Sequence, residues 1–193
     1  MGDRITGTGP DAVTEVVDLL DAHGGEHHGE VVDQRSHALQ CAELARGGGA
    51  PDHLVAAALL HDIGHLVASA GPGPRSDLAV DDDHHEAVGA RWVAPRFGPE
   101  VARAVGLHVV AKRYRCTVDP GYAASLSPTS VATLAAQGGL LSDEEVARFA
   151  AHPGRDDALR LRTWDDEAKD AGRTTAGLEE FLPTLARLVV SRP

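Results

Sequence analysis

Hydrophobic residues along this chain recur at intervals of three and four, the spacing that gathers them on one face of an α-helix. The segment DAVTEVVDLLDAHGG, from about Asp11, shows this spacing and ends at Gly24 and Gly25, which stop helices. No segment alternates convincingly between apolar and polar residues, and no internal repeat is found. The pattern therefore predicts one all-α domain over residues 1–193, with about eight to ten helices.

Residues that commonly begin helices mark several of the predicted boundaries. Ser36 is expected to cap SHALQCAELARGGG, and Pro51 to occupy the first turn of the helix in PDHLVAAALLHDIGHLVA, which His61 and Asp62 end. Ser127 precedes a proline at a first helical position, and Ser142 forms a capping box with Glu145. These signals favour four separate helices.

The middle of the chain is predicted to contain two helices between irregular segments. HHEAVGARWVAPRF reads as helical until Pro95, and GPEVARAVGLHVVAKRY as a second helix. The Gly-, Pro- and Asp-rich stretch SAGPGPRSDLAVDDD is expected to be an exposed loop, and residues 115–124 to be irregular around a Pro-Gly turn.

Composition narrows the class of protein. Of 193 residues, 42% are hydrophobic but only 4% aromatic, so the core must consist mainly of Ala, Leu and Val. The net charge of -11 disfavours nucleic acid or an anionic membrane as a partner, although a local basic pocket could still hold a small anion. We find no signal-peptide pattern and no apolar run of about 18 residues, so we expect a cytoplasmic protein with two free cysteines.

Histidine is unusually frequent, with eleven residues. In LVAAALLHDIGHLVA, three ionisable side chains follow an apolar run, where their burial is costly unless a partner satisfies them. Five predicted helices each offer an imidazole, a carboxylate or both beside an apolar face, as helical bundles do when they build an interior metal site. The candidate ligands are His37, His61, Asp62, His85, His108 and Asp165.

The ligand types favour a transition metal. Imidazole combined with carboxylate suits Fe, Mn, Zn or Ni better than Ca. Six ligands are too many for one open catalytic zinc ion, but two ions could share them if Asp62 bridged the pair.

The order of these six residues resembles the HD-domain superfamily in its two-metal form. Most members are phosphohydrolases, but several stretches between about residues 26 and 170 are similar to a more specific group. These stretches are HHGEVVDQRSHALQ, ALLHDIGHL, HEAVGARW, HVVAKRY, LSPTSVATLAAQGG and LRTWDDEAKD. They resemble the mixed-valent diiron oxygenases of the PhnZ type, which cleave carbon–phosphorus bonds.

The resemblance implies an HD-domain helical bundle whose core holds two iron ions in a mixed Fe(II)/Fe(III) state, with O2 as co-substrate. The substrate implied is a 1-hydroxyalkylphosphonate that carries an amine or trimethylammonium on carbon 2. Its products are a carboxylate, glycine or glycine betaine, and inorganic phosphate. The same six residues are the implied metal ligands, with Asp62 as the bridge.

The resemblance also implies a phosphonate pocket. Cations and hydroxyl groups are suitable partners for a phosphonate dianion, and the residues that match the family's pocket are His65, Lys112, Ser130, Thr133 and Arg162. Glu30 matches the carboxylate that receives the substrate's amine. His27 replaces a Tyr that occupies one iron until substrate arrives, so His27 is expected to take that role, to bind iron permanently or to face solvent.

Two other functions compete with the oxygenase. A hydrolase of phosphate esters or nucleotides, using Mn, Ni or Zn, is favoured by the frequency of that activity among HD domains. A non-catalytic phosphonate sensor would use the same pocket but would not need the metal ligands. The sequence leaves open the substituent on carbon 2, the metal oxidation state and the oligomeric state.

Overall fold

The computed structural model describes residues 11–27, 31–71 and 84–190, and all regular secondary structure in these residues is helical. In the described ranges the α-helices are α1 (Ala12–His23), α2 (Gln34–Gly47), α3 (Asp52–Leu60), α4 (Ile63–Ala70), α5 (His85–Val118), α6 (Pro120–Ser125), α7 (Pro128–Ala136), α8 (Asp143–Ala150), α9 (Arg155–Glu167) and α10 (Leu182–Leu188). A 3-10 turn, Leu178–Glu180, precedes α10. The predicted all-α class is confirmed.

The centre of the fold is α3, which packs against α2, α5, α9 and α10. Every residue from Leu54 to Leu60 is buried, so α3 is apolar on all sides. The surrounding core is mainly Ala, Leu and Val, with Phe97 and Phe181 among its few aromatic residues. This composition agrees with the core expected from the sequence and allows close helix packing.

The helix from Pro51 ends at His61 and Asp62, as predicted, and a separate helix, α4, follows at an angle of 47° to α3. Neighbouring side chains on a straight helix point about 100° apart and do not face one another. The bend lets both side chains point into the same interior space. The break therefore has a functional consequence that the apolar run conceals.

The predicted boundaries around α5 also need correction. The helix continues past Pro95 and kinks at Gly98, whose φ of 88° is a left-handed conformation that glycine adopts readily. It then extends to Val118, and α6 follows at once, so most of the segment 115–124 is helical rather than irregular. The length of α5 carries residues from both ends of the helix to the central site.

Two of the predicted helix starts are confirmed and two are displaced. The Ser127 cap and the capping box of Ser142 are present. The cap of α2 is Asp33, whose Oδ1 accepts from the backbone N–H of Ser36 at 2.6 Å, and Pro51 is the residue just before the first turn. An aspartate three residues before serine offers the stronger acceptor, which explains the displacement.

Gly64 allows α4 to approach the start of α5. A Cβ atom at this position would lie 1.9 Å from the backbone oxygen of His85. No larger residue fits without moving one of the two helices, so this glycine sets the distance between His65 and His85.

Among the described helices, none is by itself long and apolar enough to span a membrane. Together α3 and α4 meet the length and hydropathy criterion as a bent pair, but α3 is the buried centre of the core. The predicted loop after Gly71, including Asp81 to Asp83, lies outside the described residues.

Candidate functional site

Six ionisable side chains, from four helices and from the bend between α3 and α4, meet at this bend. The set comprises His37 of α2, His61 at the end of α3, Asp62 at the bend, His85 and His108 of α5, and Asp165 of α9. His61 is fully buried, and the other histidines and Asp165 are buried as well. The structure thus brings together all the residues that the sequence suggested as metal ligands.

The carboxylate of Asp62 lies between two pairs of imidazoles. Its Oδ2 is 3.4 Å from Nε2 of His61 and 3.8 Å from Nε2 of His37. Its Oδ1 is 3.5 Å from Nε2 of His85 and 3.6 Å from Nε2 of His108. One oxygen therefore faces each pair, as a bridge between two ions requires.

Hydrogen bonds to the backbone orient three of these imidazoles. Nδ1 of His37 donates to the carbonyl of Ala168 at 2.8 Å, and Nδ1 of His61 donates to the carbonyl of Ala58 at 2.9 Å. In a neutral imidazole the other nitrogen then presents a lone pair. The two Nε2 atoms lie only 3.1 Å apart. Burial opposes the charge, but the neighbouring Cys41 and Asp165 raise the pKa of His37 well above its ordinary value, so Nε2 of His37 donates a proton to Nε2 of His61. A metal ion that both nitrogens bind would take the place of this proton.

The second pair repeats the arrangement. Nδ1 of His108 donates to the carbonyl of Val105 at 2.7 Å, and its Nε2 is 3.1 Å from Nε2 of His85. Burial, followed by the nearby His85 and His61, lowers the pKa of His108 to about 3, which keeps this imidazole neutral and able to bind a metal. Next to this pair, Oε2 of Glu86 is buried, has no hydrogen-bond partner within the described part of the chain and lies 3.8 Å from Nδ1 of His85.

The carboxylates of the cluster are ionised. Burial alone would raise the pKa of Asp62, but the surrounding imidazoles, His61 first, hold it well below its ordinary value. Burial likewise opposes ionisation of Asp165, and the guanidinium of Arg162 holds its pKa well below the ordinary range. Oδ1 of Asp165 is 3.4 Å from Nε2 of His37, which adds a carboxylate to the first imidazole pair.

The donor set fits two transition-metal ions. Donor atoms about 2.1 Å from one ion are separated by roughly 3–4 Å, the separation found within each group. The first group is His37, His61, Asp165 and Oδ2 of Asp62, and the second is His85, His108 and Oδ1 of Asp62. The second group has fewer protein ligands, which leaves more positions for exogenous ones.

A cavity of about 90 Å³ opens beside this cluster. Its walls come from α2, α5, α7 and α9 and from the bend, so the cavity meets both imidazole pairs. Besides five members of the cluster, the lining residues are Val32, Gln34, His65, Val109, Lys112, Thr129, Ser130, Thr133, Gln137, Arg162 and Lys169. His65 stacks on His85, with ring centroids 4.1 Å apart.

Lys112 places a buried ammonium in the cavity wall. It is 3% exposed, and its Nζ donates to Oγ1 of Thr133 at 2.7 Å and to Oε1 of Gln137 at 3.0 Å. Burial, followed by the positive charge of Arg162, lowers its pKa to about 8. An anion in the cavity would stabilise the charged form.

Arg162 is held by several partners. Its Nε donates to the hydroxyl of Tyr122 at 2.9 Å, one terminal nitrogen donates to Asp165 at 2.7 Å, and the other donates to Asp166. Burial opposes the charge, but Asp165 and Asp166 outweigh it and raise the pKa of Arg162. The described residues use three of its five N–H groups, which leaves two for a ligand.

Two hydroxyl groups of α7 are paired with lysines. Lys112 donates to Thr133, and Nζ of Lys169 donates to Oγ of Ser130 at 3.0 Å. Together with Arg162 and Thr129, these residues give the cavity three cations and three hydroxyls along the walls formed by α5, α7, α9 and the residues just after α9. Such a wall suits a doubly charged phosphonate or phosphate.

The two remaining predicted site residues are placed differently. His27 is described and exposed, and it does not line the cavity. Its suggested role at the metal stays a prediction. Glu30 lies outside the described residues.

Sequence reasoning missed several lining residues. Gln34 is one turn before His37, and Lys169 is four residues after Asp165, so a search at helical spacing from the ligands would have found both. Tyr122, which does not line the cavity but holds Arg162, had no such signal, because it reaches Arg162 from 40 residues away along the chain.

Comparison with known proteins agrees with this geometry. The HD domain matches residues 35–137. Hydroxymethylphosphonate dioxygenase of Gimesia maris is 42% identical over 169 residues, covering 88% of this chain and 84% of the relative. The glycine-betaine-forming [1-hydroxy-2-(trimethylamino)ethyl]phosphonate dioxygenase of Leisingera caerulea is 36% identical over 172 residues, covering 89% of this chain and 87% of that relative.

Proposed function

This chain belongs to the HD-domain family, in the group that includes these two phosphonate dioxygenases, and from this membership we propose that it cleaves the carbon–phosphorus bond of a 1-hydroxyalkylphosphonate with O2. The bond between carbon 1 and phosphorus breaks, and carbon 1 is oxidised to a carboxylate while O2 is reduced. One O2 is consumed for each carboxylate, phosphate and proton released.

The observation that carries this proposal is the position of Asp62 between two imidazole pairs, beside a cavity with cationic walls. Two metal positions that share one carboxylate can act on a single small substrate. The cationic wall accounts for how a protein of net charge -11 binds an anion.

We propose that both ions are iron, in a mixed Fe(II)/Fe(III) state. Imidazole and carboxylate ligands suit iron, and iron supplies the one-electron chemistry that the activation of O2 requires. The proposed ligands are the two groups described above, with Asp62 in common. Asp62 is thereby the residue on which both positions depend.

The protein's own groups would hold the phosphonate. Nζ of Lys112, the two remaining N–H groups of Arg162 and the hydroxyl of Ser130 would donate to its oxygens. Thr133 would support this subsite through Lys112, because its hydroxyl accepts from that ammonium and donates to the backbone carbonyl of Thr129. His65 completes this subsite from the side of His85. Because these groups are buried and already oriented, little order is lost when the anion binds.

The substituent on carbon 2 defines the exact substrate. The two relatives act on hydroxymethylphosphonate and on its trimethylaminoethyl analogue, so both substrates contain the 1-hydroxyphosphonate unit. That unit is the class we propose here. The amine-bearing substrates, and the role of Glu30 in reading the amine, stay predictions.

Phosphate release tests the proposal. Iron-loaded protein should release phosphate from hydroxymethylphosphonate, 2-amino-1-hydroxyethylphosphonate or the trimethylammonio analogue in air, and should leave p-nitrophenyl phosphate intact. Hydrolysis of the phosphate ester without O2, with none of the three phosphonates cleaved, would favour a phosphohydrolase instead.

A further inference from the structure

Glu86 lies beside the metal cluster with one oxygen of its carboxylate buried. Among the described residues, its Oε2 is the one buried side-chain polar atom that has no hydrogen-bond partner. Glu86 is the second residue of α5, directly after His85, and its side chain is 18% exposed. Buried polar atoms are normally paired, and an unpaired one costs free energy. The exception at Glu86 therefore indicates a role for this carboxylate in the neighbouring site.

Oε2 of Glu86 faces the outer nitrogen of His85. It lies 3.8 Å from Nδ1, which is an ion-pair separation and too long for a hydrogen bond. On the opposite side of the ring, Nε2 of His85 is 3.1 Å from Nε2 of His108 and 3.5 Å from Oδ1 of Asp62. The imidazole of His85 thus lies between the second metal position and the carboxylate of Glu86.

The other three imidazoles of the cluster have a different kind of partner at Nδ1. His37, His61 and His108 each donate from this nitrogen to a backbone carbonyl, which carries no net charge. Glu86 presents a full negative charge to Nδ1 of His85. The two metal positions therefore differ in their surroundings, and the carboxylate stands behind the position that has fewer protein ligands.

A carboxylate behind a ligand histidine favours metal binding. An imidazole that binds a metal ion through Nε2 keeps its proton on Nδ1, and the ion makes the ring more positive. A carboxylate next to that nitrogen stabilises the added charge, raises the basicity of the ligand and fixes the orientation of the ring. Because Oε2 of Glu86 is buried, water screens this attraction little.

We propose that Glu86 is a positioning residue that strengthens metal binding at the second position through His85. The role rests on the proposed function, because it requires a metal ion at the position formed by His85, His108 and Asp62. The carboxylate and the metal ion then act on the two nitrogens of one ring. Glu86 itself is not a ligand in this arrangement, since the ring of His85 separates it from the metal position.

Binding of Fe(II) tests the inference. Bound iron is measured by elemental analysis over a range of free Fe(II) concentrations, anaerobically and without substrate. Glu86→Gln keeps the shape of the side chain and removes its charge, so one of the two ions should bind about 10–100-fold more weakly. The other ion should change less than about 2-fold. Affinities within about 2-fold of the wild type for both ions would overturn the inference.

Glu100→Gln is the matched control. It removes the same charge at an exposed position of the same helix, so both ions should bind as they do in the wild type. An equal loss of affinity in Glu86→Gln and Glu100→Gln would reduce the effect to net charge and overturn the role of Glu86.

The melting temperature of the metal-free protein separates this role from a purely structural one. An acidic residue in the first turn of a helix also interacts favourably with the helix dipole. Because Oε2 of Glu86 has no hydrogen bond to lose among the described residues, metal-free Glu86→Gln should melt at the wild-type temperature. A drop of several degrees would assign Glu86 to the stability of α5 and contradict the proposal.

The binding measurement does not depend on turnover, so the two proposals can fail separately. Weaker Fe(II) binding in Glu86→Gln, with a wild type that leaves hydroxymethylphosphonate intact in air, would contradict only the oxygenase. Unchanged Fe(II) binding in Glu86→Gln, with a wild type that cleaves this substrate, would contradict only the role of Glu86.

Discussion

The hydroxyl oxygen of Tyr122 accepts a hydrogen bond from Nε of Arg162 at 2.9 Å. The same hydroxyl donates to Oδ2 of Asp166 at 2.8 Å, and the guanidinium of Arg115 lies over the tyrosine ring at 3.8 Å. Tyr122 does not line the cavity. It therefore fixes the orientation of Arg162 without reaching a ligand.

We expect Tyr122→Phe to raise KM for the phosphonate substrate about 10-fold, because a hydrogen bond to a charged group contributes about 1.5–3 kcal/mol. Since the proposed partner of Arg162 is the phosphonate and not the reacting carbon, kcat should change little. Steady-state kinetics separate the two effects.

Tyr114→Phe is the matched control. That ring packs on Phe149, with centroids 5.0 Å apart, in a separate part of the core. Equal kinetic losses in the two variants would show that Tyr122 does not act through Arg162.

The pKa of Lys112 gives a pH dependence for substrate binding. In the free protein the ammonium is lost as the pH rises through about 8, so KM should increase above that pH. Lys112→Arg remains charged, and its KM should stay flat over this range even if its absolute value differs. The profile of KM from pH 7 to about 10 checks this, and an identical rise in both proteins would assign the titration to another group.

Metal content should distinguish the two positions. Asp165→Asn removes a ligand from the metal position that contains His37, so this variant should bind about one metal ion per chain. Asp62→Asn removes a ligand from both positions, so it should bind less than one metal ion per chain in total. Asp166→Asn changes the adjacent carboxylate and is the control, so it should keep two metal ions per chain. Elemental analysis measures these values, and equal losses from Asp165→Asn and Asp62→Asn would contradict a bridging role for Asp62.

Gly64→Ala tests the contact between α4 and α5. The new Cβ atom would lie 1.9 Å from the backbone oxygen of His85, so we expect a loss of about 1–3 kcal/mol in the free energy of unfolding. At Gly25 a Cβ atom meets nothing within 4 Å, and Gly25→Ala should leave stability nearly unchanged. Urea denaturation of both variants gives the comparison, and similar stabilities would mean that the helices separate easily.

Helical spacing made part of the site predictable. Lys112 follows His108 by one turn and Arg162 precedes Asp165 by one turn, so each pair shares a helix face, and all four line the cavity. The order of the six histidines and aspartates along the sequence further indicated that separate helices meet at one metal site.

Other features depend on contacts that spacing does not contain. The bend at His61 and Asp62 has neither proline nor glycine at the break, so the sequence does not indicate the angle at which α4 follows α3. Tyr122 lies in a segment that the Pro-Gly pair made look irregular, and its contact with Arg162 joins distant parts of the chain. These features follow from tertiary packing.

The most direct test of the central claim is the stoichiometry of O2 use. With iron-loaded protein and hydroxymethylphosphonate, an oxygen electrode and a phosphate assay on the same sample should give one O2 consumed for each phosphate released, together with one formate. Phosphate released at the same rate in the absence of O2 would contradict the account.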